Sequence, residues 1–402
     1  MTIVSENPKT DITDVKVILA LCLVHFTGDF YNSFITPLMP LFVDKYSLTL
    51  AQVGLLAGLG RFLAFIVQPS TGYIADHYRT RLFILGGPLL TVIFIPLVGV
   101  APSFLFLLLF IALGSIGSAM YHPTAAGMVS AYAGSRFGLS MSVFNLGGTF
   151  AFGVGPLFIT FVAEEYGLRV SPFTMIIGLF LAAVLFRILP LPAAEGLADL
   201  GFIGSIKEAF GATWKSILLI WVVMVLRSYV GQSFLTFLPV LYAKEGYSLV
   251  SIGAIISIFT VAGALSGVLA GHLSDRFGYK PLFYFSHGLA TPSLGLLLFM
   301  TGKWIYAGSL MAGFFILATL PLGVTVAQQL APRGRSMVSS LMMGLAFGTG
   351  GLMAPLTGMA ADLFSIRSVL CVLAVIPLLT IALIALVPDR APVEPSSNAV
   401  RD

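Results

Sequence analysis

Charge is what this chain has least of. Of its 402 residues only 9% are Asp, Glu, Lys or Arg, against about 25% in an ordinary soluble protein. Twenty-one Lys and Arg and 17 Asp and Glu cannot cover a water-facing surface of that length. The scarcity excludes a cytosolic enzyme and a disordered scaffold. The net charge of +4 is spread along the chain, so it is no nucleic-acid footprint. Cysteine is nearly absent. Cys22 and Cys371 both lie inside apolar runs, which argues against a disulfide framework, zinc or an iron–sulfur centre. A cleavable leader is missing too. Met1 to Val15 is polar and mixed in charge, so the first apolar run is expected to be retained. Short alternating strands of the outer-membrane barrel type are also missing.

What is present is hydrophobic: 58% of the residues are apolar. A membrane-spanning helix needs about 20 such residues. The runs predict spans near 17–43, 51–75, 82–101, 103–131, 136–162, 171–190, 214–242, 249–272, 281–300, 303–329, 335–362 and 366–387. The expected fold is therefore an all-α membrane protein with twelve transmembrane helices. Residues 1–190 form one six-helix bundle and 214–387 a second. Between them, 191–213 is a cytoplasmic linker, in which Phe202, Ile203, Ile206 and Phe210 predict a short amphipathic helix. A Pro/Ser-rich tail, 388–402, is expected to be disordered.

With the N-terminus inside, thirteen Lys and Arg fall in inner segments and five in outer ones: Lys45, Arg169, Lys244, Lys303 and Arg367. Positive charge in short loops favours the cytoplasm, so both termini are expected there. One offset recurs along the chain. Pro40 and Pro239, Gly54 and Gly253, Gly72 and Gly271, Asp76 and Asp275, Arg136 and Arg335, and Pro156 and Pro355 each differ by 199. The two bundles are repeats of one another. Parallel halves about an axis normal to the membrane are a transporter plan, with the substrate between them.

Two repeat-related loops carry a signature. The first runs Gly72-Tyr73-Ile74-Ala75-Asp76-His77-Tyr78-Arg79-Thr80-Arg81, the second Gly271-His272-Leu273-Ser274-Asp275-Arg276-Phe277-Gly278-Tyr279-Lys280. They resemble the cytoplasmic loop motif of the major facilitator superfamily. The first copy departs from it, with His77 and Arg79 where Arg and Gly are usual. The resemblance covers the whole chain and implies alternating access between two bundles. It makes Gly72, Asp76, Arg81, Gly271, Asp275 and Arg276 candidate members of a conformational gate. Glycine lets helices approach, and an aspartate at a helix end pairs with a cation or caps the next helix. A solvated loop that only fixes topology is the alternative.

Within the superfamily, His25-Phe26-Thr27-Gly28-Asp29, Gln68-Pro69 and Tyr121-His122-Pro123 resemble the fosmidomycin-resistance branch of bacterial exporters. That likeness implies a proton-driven exporter of small polar or amphipathic compounds. Arg61 departs from it, since a neutral polar residue is usual there. Gly147-Gly148 and Gly155-Pro156 partly resemble the antiporter motif of proton-coupled drug exporters, although Ser142 and Ala151 stand where glycine is usual, and Gly155 and Pro156 join the candidates for the conformational gate.

Charges in the apolar runs mark the site. At about 1.5 Å per residue, Asp29, Arg61 and Arg227 lie roughly 18, 15 and 20 Å into their spans, near the middle of a core about 30 Å thick. Such residues usually face a cavity and do work. His25 and Asp29 share one helix face, which Asn32 and Ser33 continue. Asp29 is the first candidate proton carrier. A permanent ion pair with an arginine that pins two spans is its alternative. His25 is a proton relay, a ligand or a structural hydrogen-bond donor. Arg61 and Arg227 are candidate anion clamps or counter-ions of Asp29. His122, beside the kinking Pro123, is a gating or ligand candidate or a structural donor. Asn145, Gln232, Gln328 and Gln329 are further cavity candidates, and His287 reads as structural.

The expected function is a proton-coupled antiporter exporting small organic anions or amphipathic drugs. Its partners would be substrate, protons and the lipid bilayer of a bacterial inner membrane, and it would act as a monomer. An importer or exchanger of a metabolite anion is the alternative. A channel or membrane enzyme has no charge ring or acid–base pair to support it. No nucleotide loop appears, and neither a cofactor nor a metal is expected.

Overall fold

The computed structural model describes residues 12–77, 81–191, 213–330 and 341–387, and no strand occurs among them. The linker expected to hold an amphipathic helix and the tail expected to be disordered lie outside the described residues. The first half comprises α1 (Val15–Asn32), α2 (Met39–Tyr46), α3 (Leu50–His77), α4 (Gly87–Leu97), α5 (Phe104–Tyr132), α6 (Phe137–Tyr166) and α7 (Met175–Ile188). The second comprises α8 (Trp214–Lys244), α9 (Leu249–Phe277), α10 (Tyr279–Leu297), α11 (Trp304–Leu317), α12 (Leu320–Leu330), α13 (Phe347–Leu352), α14 (Ala354–Leu363), α15 (Ile366–Leu373) and α16 (Ile376–Ala385).

Apolar sequence in lipid folds this way because a helix satisfies every backbone polar group within its own segment. Side chains close the ends. Asp14 accepts from Val17 N (3.1 Å) at the start of α1, and Ser248 from Ser251 N (3.2 Å) at the start of α9. Ten helical segments among the described residues are long and apolar enough to cross a membrane. Helix α10 and the segment 341–363 stand where two further spans are expected.

Proline explains where the helices depart from the expected runs. The run 17–43 is not one helix: α1 stops at Asn32 and α2 begins at Met39. Between them lies Thr36-Pro37, and Pro40 opens α2. Proline removes a donor, and the residue before it avoids the helical region. The eleventh run is divided similarly. A π-helical turn, 341–346, leads into α13, and α14 restarts with Pro355 in its first turn. Pro123, by contrast, is carried inside the continuous α5.

The core divides along the molecule. One apolar cluster, including Phe34, Phe42, Val53, Phe234, Phe259 and Leu370, joins both halves at the end away from the chain termini. Toward the termini it splits. Leu21, Tyr121 and Phe144 belong to a cluster within the first half, and Ile217, Phe283 and Leu322 to one within the second. At the joined end the backbones meet closely. A Cβ on Gly54 would lie 2.7 Å from Pro355 Cα, and one on Gly253 would lie 2.9 Å from Pro156 O. Most of the two motifs expected in loops is helical instead, with Gly72 and Asp76 inside α3 and Gly271 and Asp275 inside α9; a Cβ on Gly271 would meet nothing within 4 Å among the described residues. Toward the termini the apolar core is divided between the halves rather than shared by them. Among the described residues the molecule is thus closed at one end and open at the end that carries the termini.

Candidate functional site

Helix α1 supplies the centre of the site. His25 and Asp29, one turn apart, are 8% and 4% exposed. His25 Nε2 lies 3.1 Å from Asp29 Oδ2. Helix α5 brings a second imidazole, and His122 Nε2 lies 3.5 Å from Asp29 Oδ1. The neighbouring Tyr121 donates its hydroxyl proton to the same oxygen at 2.6 Å. The rings pack as a block. His122 stacks on Tyr121 at 4.2 Å between centroids, and His25 stacks on Phe144 at 4.3 Å.

Helix α6 can come this near because its facing residues are small. Gly147, Ala151 and Gly155 recur every fourth residue. A Cβ on Gly147 would strike the Cys22 backbone, and one on Gly155 would lie 2.8 Å from Phe30 O. A Cβ on Gly148 would lie 2.9 Å from Asp29 Oδ2 and displace His25. Ala151 takes a glycine's place in the partial antiporter motif, yet it is buried and small enough to keep the approach.

The histidines' other nitrogens fix their protonation logic. His25 Nδ1 lies 2.9 Å from Phe144 O, and His122 Nδ1 lies 2.7 Å from Ser118 O. A carbonyl oxygen can only accept, so each Nδ1 carries a hydrogen. Each Nε2 is therefore bare in the neutral ring and faces a carboxylate. Two lone pairs against an anion repel. The cluster holds together when a cation lies between its members: a proton on Asp29, a proton on either Nε2, or a metal ion.

Arg61 and Arg227 do not form ion pairs with Asp29, whose ionic partners are the two histidines. The alternative of a permanent Asp29–arginine ion pair is not formed in this structure. Arg61 remains within electrostatic reach of Asp29. Its Nη2 donates across the halves to Gln232 Oε1 at 3.2 Å. Arg227 is 2% exposed, and its Nε donates to Ile316 O at 2.9 Å inside the second half. That burial gives it no surface for a ligand in this conformation. Asn32 is partly buried, whereas Asn145 and Gln329 are exposed. Gly72, Asp76, Asp275 and Gln328 lie outside the residues whose side chains are described. Arg81 and Arg276 rest over the Phe186 and Phe277 rings. Pro156 accepts from Thr160 at 2.7 Å beside Gly253. His287 is buried, with Thr380 and Thr319 hydroxyls at 2.5 and 2.8 Å from its ring nitrogens.

Tyr121 is the residue that sequence reasoning passed over. It stood in the quoted motif beside His122 with no role attached. No spacing rule ties a tyrosine on α5 to an aspartate on α1, and only the helix crossing reveals the contact. Tyr121→Phe is expected to lower the melting temperature, because a hydrogen bond to a charged group contributes about 1.5–3 kcal/mol. The loss should shrink in an Asp29→Asn background. A double-mutant cycle on thermal unfolding measures that coupling.

A buried carboxylate held by ionisable rings within one of two repeat-related helical halves fits a carrier rather than a catalyst. Comparison with known proteins agrees. The model of the Major Facilitator Superfamily matches residues 21–355 and 220–402, and the chain belongs to that family. It is a multi-pass membrane transporter and not an enzyme. It is similar to the fosmidomycin resistance protein of Escherichia coli (strain K12), 29% identical over 94% of each chain. It is also similar to the uncharacterized MFS-type transporter YfnC of Bacillus subtilis (strain 168), 26% identical over 96% of this chain and 95% of that one. Among solved structures, a bacterial homologue of the human lysosomal transporter Spinster superposes with a TM-score of 0.79. It is 18% identical and covers 92% of this chain and 96% of that one.

Proposed function

We propose that this protein is a proton-coupled antiporter of a bacterial inner membrane, exporting small organic anions or amphipathic drugs by alternating access. The observation that carries the reading is the His25–Asp29–His122 cluster, whose fixed Nδ1 hydrogens leave it short of a proton unless one is taken up. His122, with 29% of its side chain exposed, is the most accessible member of the cluster and the one that would pass the proton on. The Lys and Arg distribution supports cytoplasmic termini, which makes the open end the inner one. Likeness to a fosmidomycin resistance protein supports export. Arg61 is the anion-binding candidate, and a bound anion would replace Gln232 as its partner. Gly72, Asp76, Arg81, Gly271, Asp275 and Arg276 are proposed to latch the inner end in the opposite state. The carrier is proposed to act as a monomer.

Arg61 also supports the second reading. A proton on the cluster and an anion on Arg61 attract one another, so electrostatics alone would move them together, as in an importer. Antiport requires the substrate to expel the proton. The sign of the proton change on binding separates the two. Purified protein in weak buffer is mixed with fosmidomycin and with matched anionic, neutral and cationic amphipaths. Ligands that bind the folded state raise its melting temperature, and a pH dye follows the protons. Release on binding is expected. Uptake would overturn export in favour of co-transport. Arg61→Gln is expected to lose stabilisation by anions only; equal stabilisation in parent and variant would remove Arg61 from the substrate site.

A further inference from the structure

The cluster's geometry offers more than a place for a proton. We propose that His25, His122 and Asp29 form a binding site for a divalent transition-metal ion of the zinc and cobalt type, which takes the place of the protons. The inference goes beyond the antiport reading and does not depend on it.

One ligand atom from each of the three residues lies within 4.8 Å of the others. Ligands about 2.0–2.2 Å from a tetrahedral ion sit roughly 3.3–3.5 Å apart. The two imidazole–carboxylate separations, 3.1 and 3.5 Å, are near that edge length already. Two imidazoles and one carboxylate also make a set that leaves a fourth position open.

The surroundings are those of a metal site too. A ligating histidine almost always donates its other ring hydrogen to a carbonyl or carboxylate, which fixes ring and tautomer. Both histidines do so here, to Phe144 O and Ser118 O. Tyr121 fixes the carboxylate in turn, and Gly148 leaves the space beside it. Imidazole ligands select against magnesium and calcium, which prefer oxygen. The scarcity of cysteine argues only against thiolate sites and does not touch this one. In the second half, a shift of 199 carries Asp29 to Ser228, His25 to Met224 and His122 to Pro321. The repeat therefore supplies no second copy, and one ion per chain is expected.

The test is titration of tag-free, detergent-purified protein with zinc chloride by calorimetry, and with cobalt chloride by visible absorption. The expected result is one ion per chain, the intense visible bands of a cobalt site of low coordination number, and release of protons on binding. His25→Gln and His122→Gln should each weaken binding at least about tenfold, since even losing an outer partner costs about that much. His272→Gln, at an exposed position near the end of α9, should bind as the parent does. Tyr121→Phe keeps all three ligands and should retain the cobalt spectrum with weaker binding, which guards against loss of fold in the histidine variants. No binding to the parent at micromolar metal, or binding that survives both histidine substitutions, would overturn the site. Metal binding by a protein that exchanges no protons with substrate would sink the antiport reading and leave this one standing.

Discussion

Asp29→Asn is expected to leave the protein folded and able to exchange substrate, yet unable to drive transport with a proton gradient. The reason lies in the fixed Nδ1 hydrogens of His25 and His122. Their bare Nε2 atoms face residue 29. An asparagine amide can donate to one Nε2 and accept from Tyr121, so it copies a protonated Asp29. The variant is thus held in the loaded state with no proton to release. Asp29→Ala should behave differently. It strands the Tyr121 hydroxyl and two imidazoles in a buried place, and breaking a buried ionic cluster costs about 3–5 kcal/mol. Reconstituted vesicles separate the two effects. Counterflow of labelled substrate at equal pH should persist in Asp29→Asn, while accumulation driven by a pH difference disappears. If gradient-driven accumulation survives in Asp29→Asn, the coupling proton resides elsewhere. If counterflow is lost as well, residue 29 serves binding or folding and not coupling.

The sequence makes the scaffold readable and the chemistry only partly so. Apolar run length is a strong signal in lipid because a single segment satisfies its own backbone there only as a helix, and the 199-residue offset exposes the repeat. Helix breaks are less legible. Pro37 interrupts the first run, whereas Pro123 is carried inside α5; local sequence alone does not say which proline will stop a helix. Within one helix, His25 and Asp29 could be paired by counting turns. The pairing of Asp29 with His122 and Tyr121 could not, because it arises where α1 crosses α5. The same gap misdirected the arginines. Depth along the helix made Arg61 and Arg227 equal partners for Asp29, but rotation about the axis decides. Arg61 faces the other half and reaches Gln232, while Arg227 turns into its own bundle toward Ile316. The repeat carries the fold, and its broken symmetry at positions 25, 29 and 122 carries the chemistry.

Two carboxylates hold the closed end, and removing both should open it. Asp362, at the end of α14, accepts from Leu50 N at 2.8 Å and Ala51 N at 2.9 Å, the first backbone donors of α3 in the other half. Glu164, near the end of α6, accepts from Val250 N at 2.7 Å at the start of α9. Ala51 and Val250 are repeat partners, 199 apart, so one device occurs twice in pseudo-symmetric positions. Each carboxylate satisfies donors that a helix start leaves unpaired and meets the positive end of the helix dipole. Both contacts cross between halves and vanish when that end opens to water, so they favour the closed form selectively. A capping side chain replaced by alanine costs about 1 kcal/mol. Glu164→Ala with Asp362→Ala should therefore move the equilibrium toward the opposite conformation by about 2 kcal/mol, roughly 30-fold. Spin labels on the exposed Asp44 and Lys244, with Cys22 and Cys371 replaced, would report this as a longer distance population. Restoring the acceptors with Asp362→Asn and Glu164→Gln should recover most of the closed form. A distance distribution that does not move, in a double variant that unfolds at lower temperature, would mean that the carboxylates only cap their helices. The alternation between states would then have to be set nearer the middle of the membrane, where Arg61 and Gln232 form the inner cross-link between the halves.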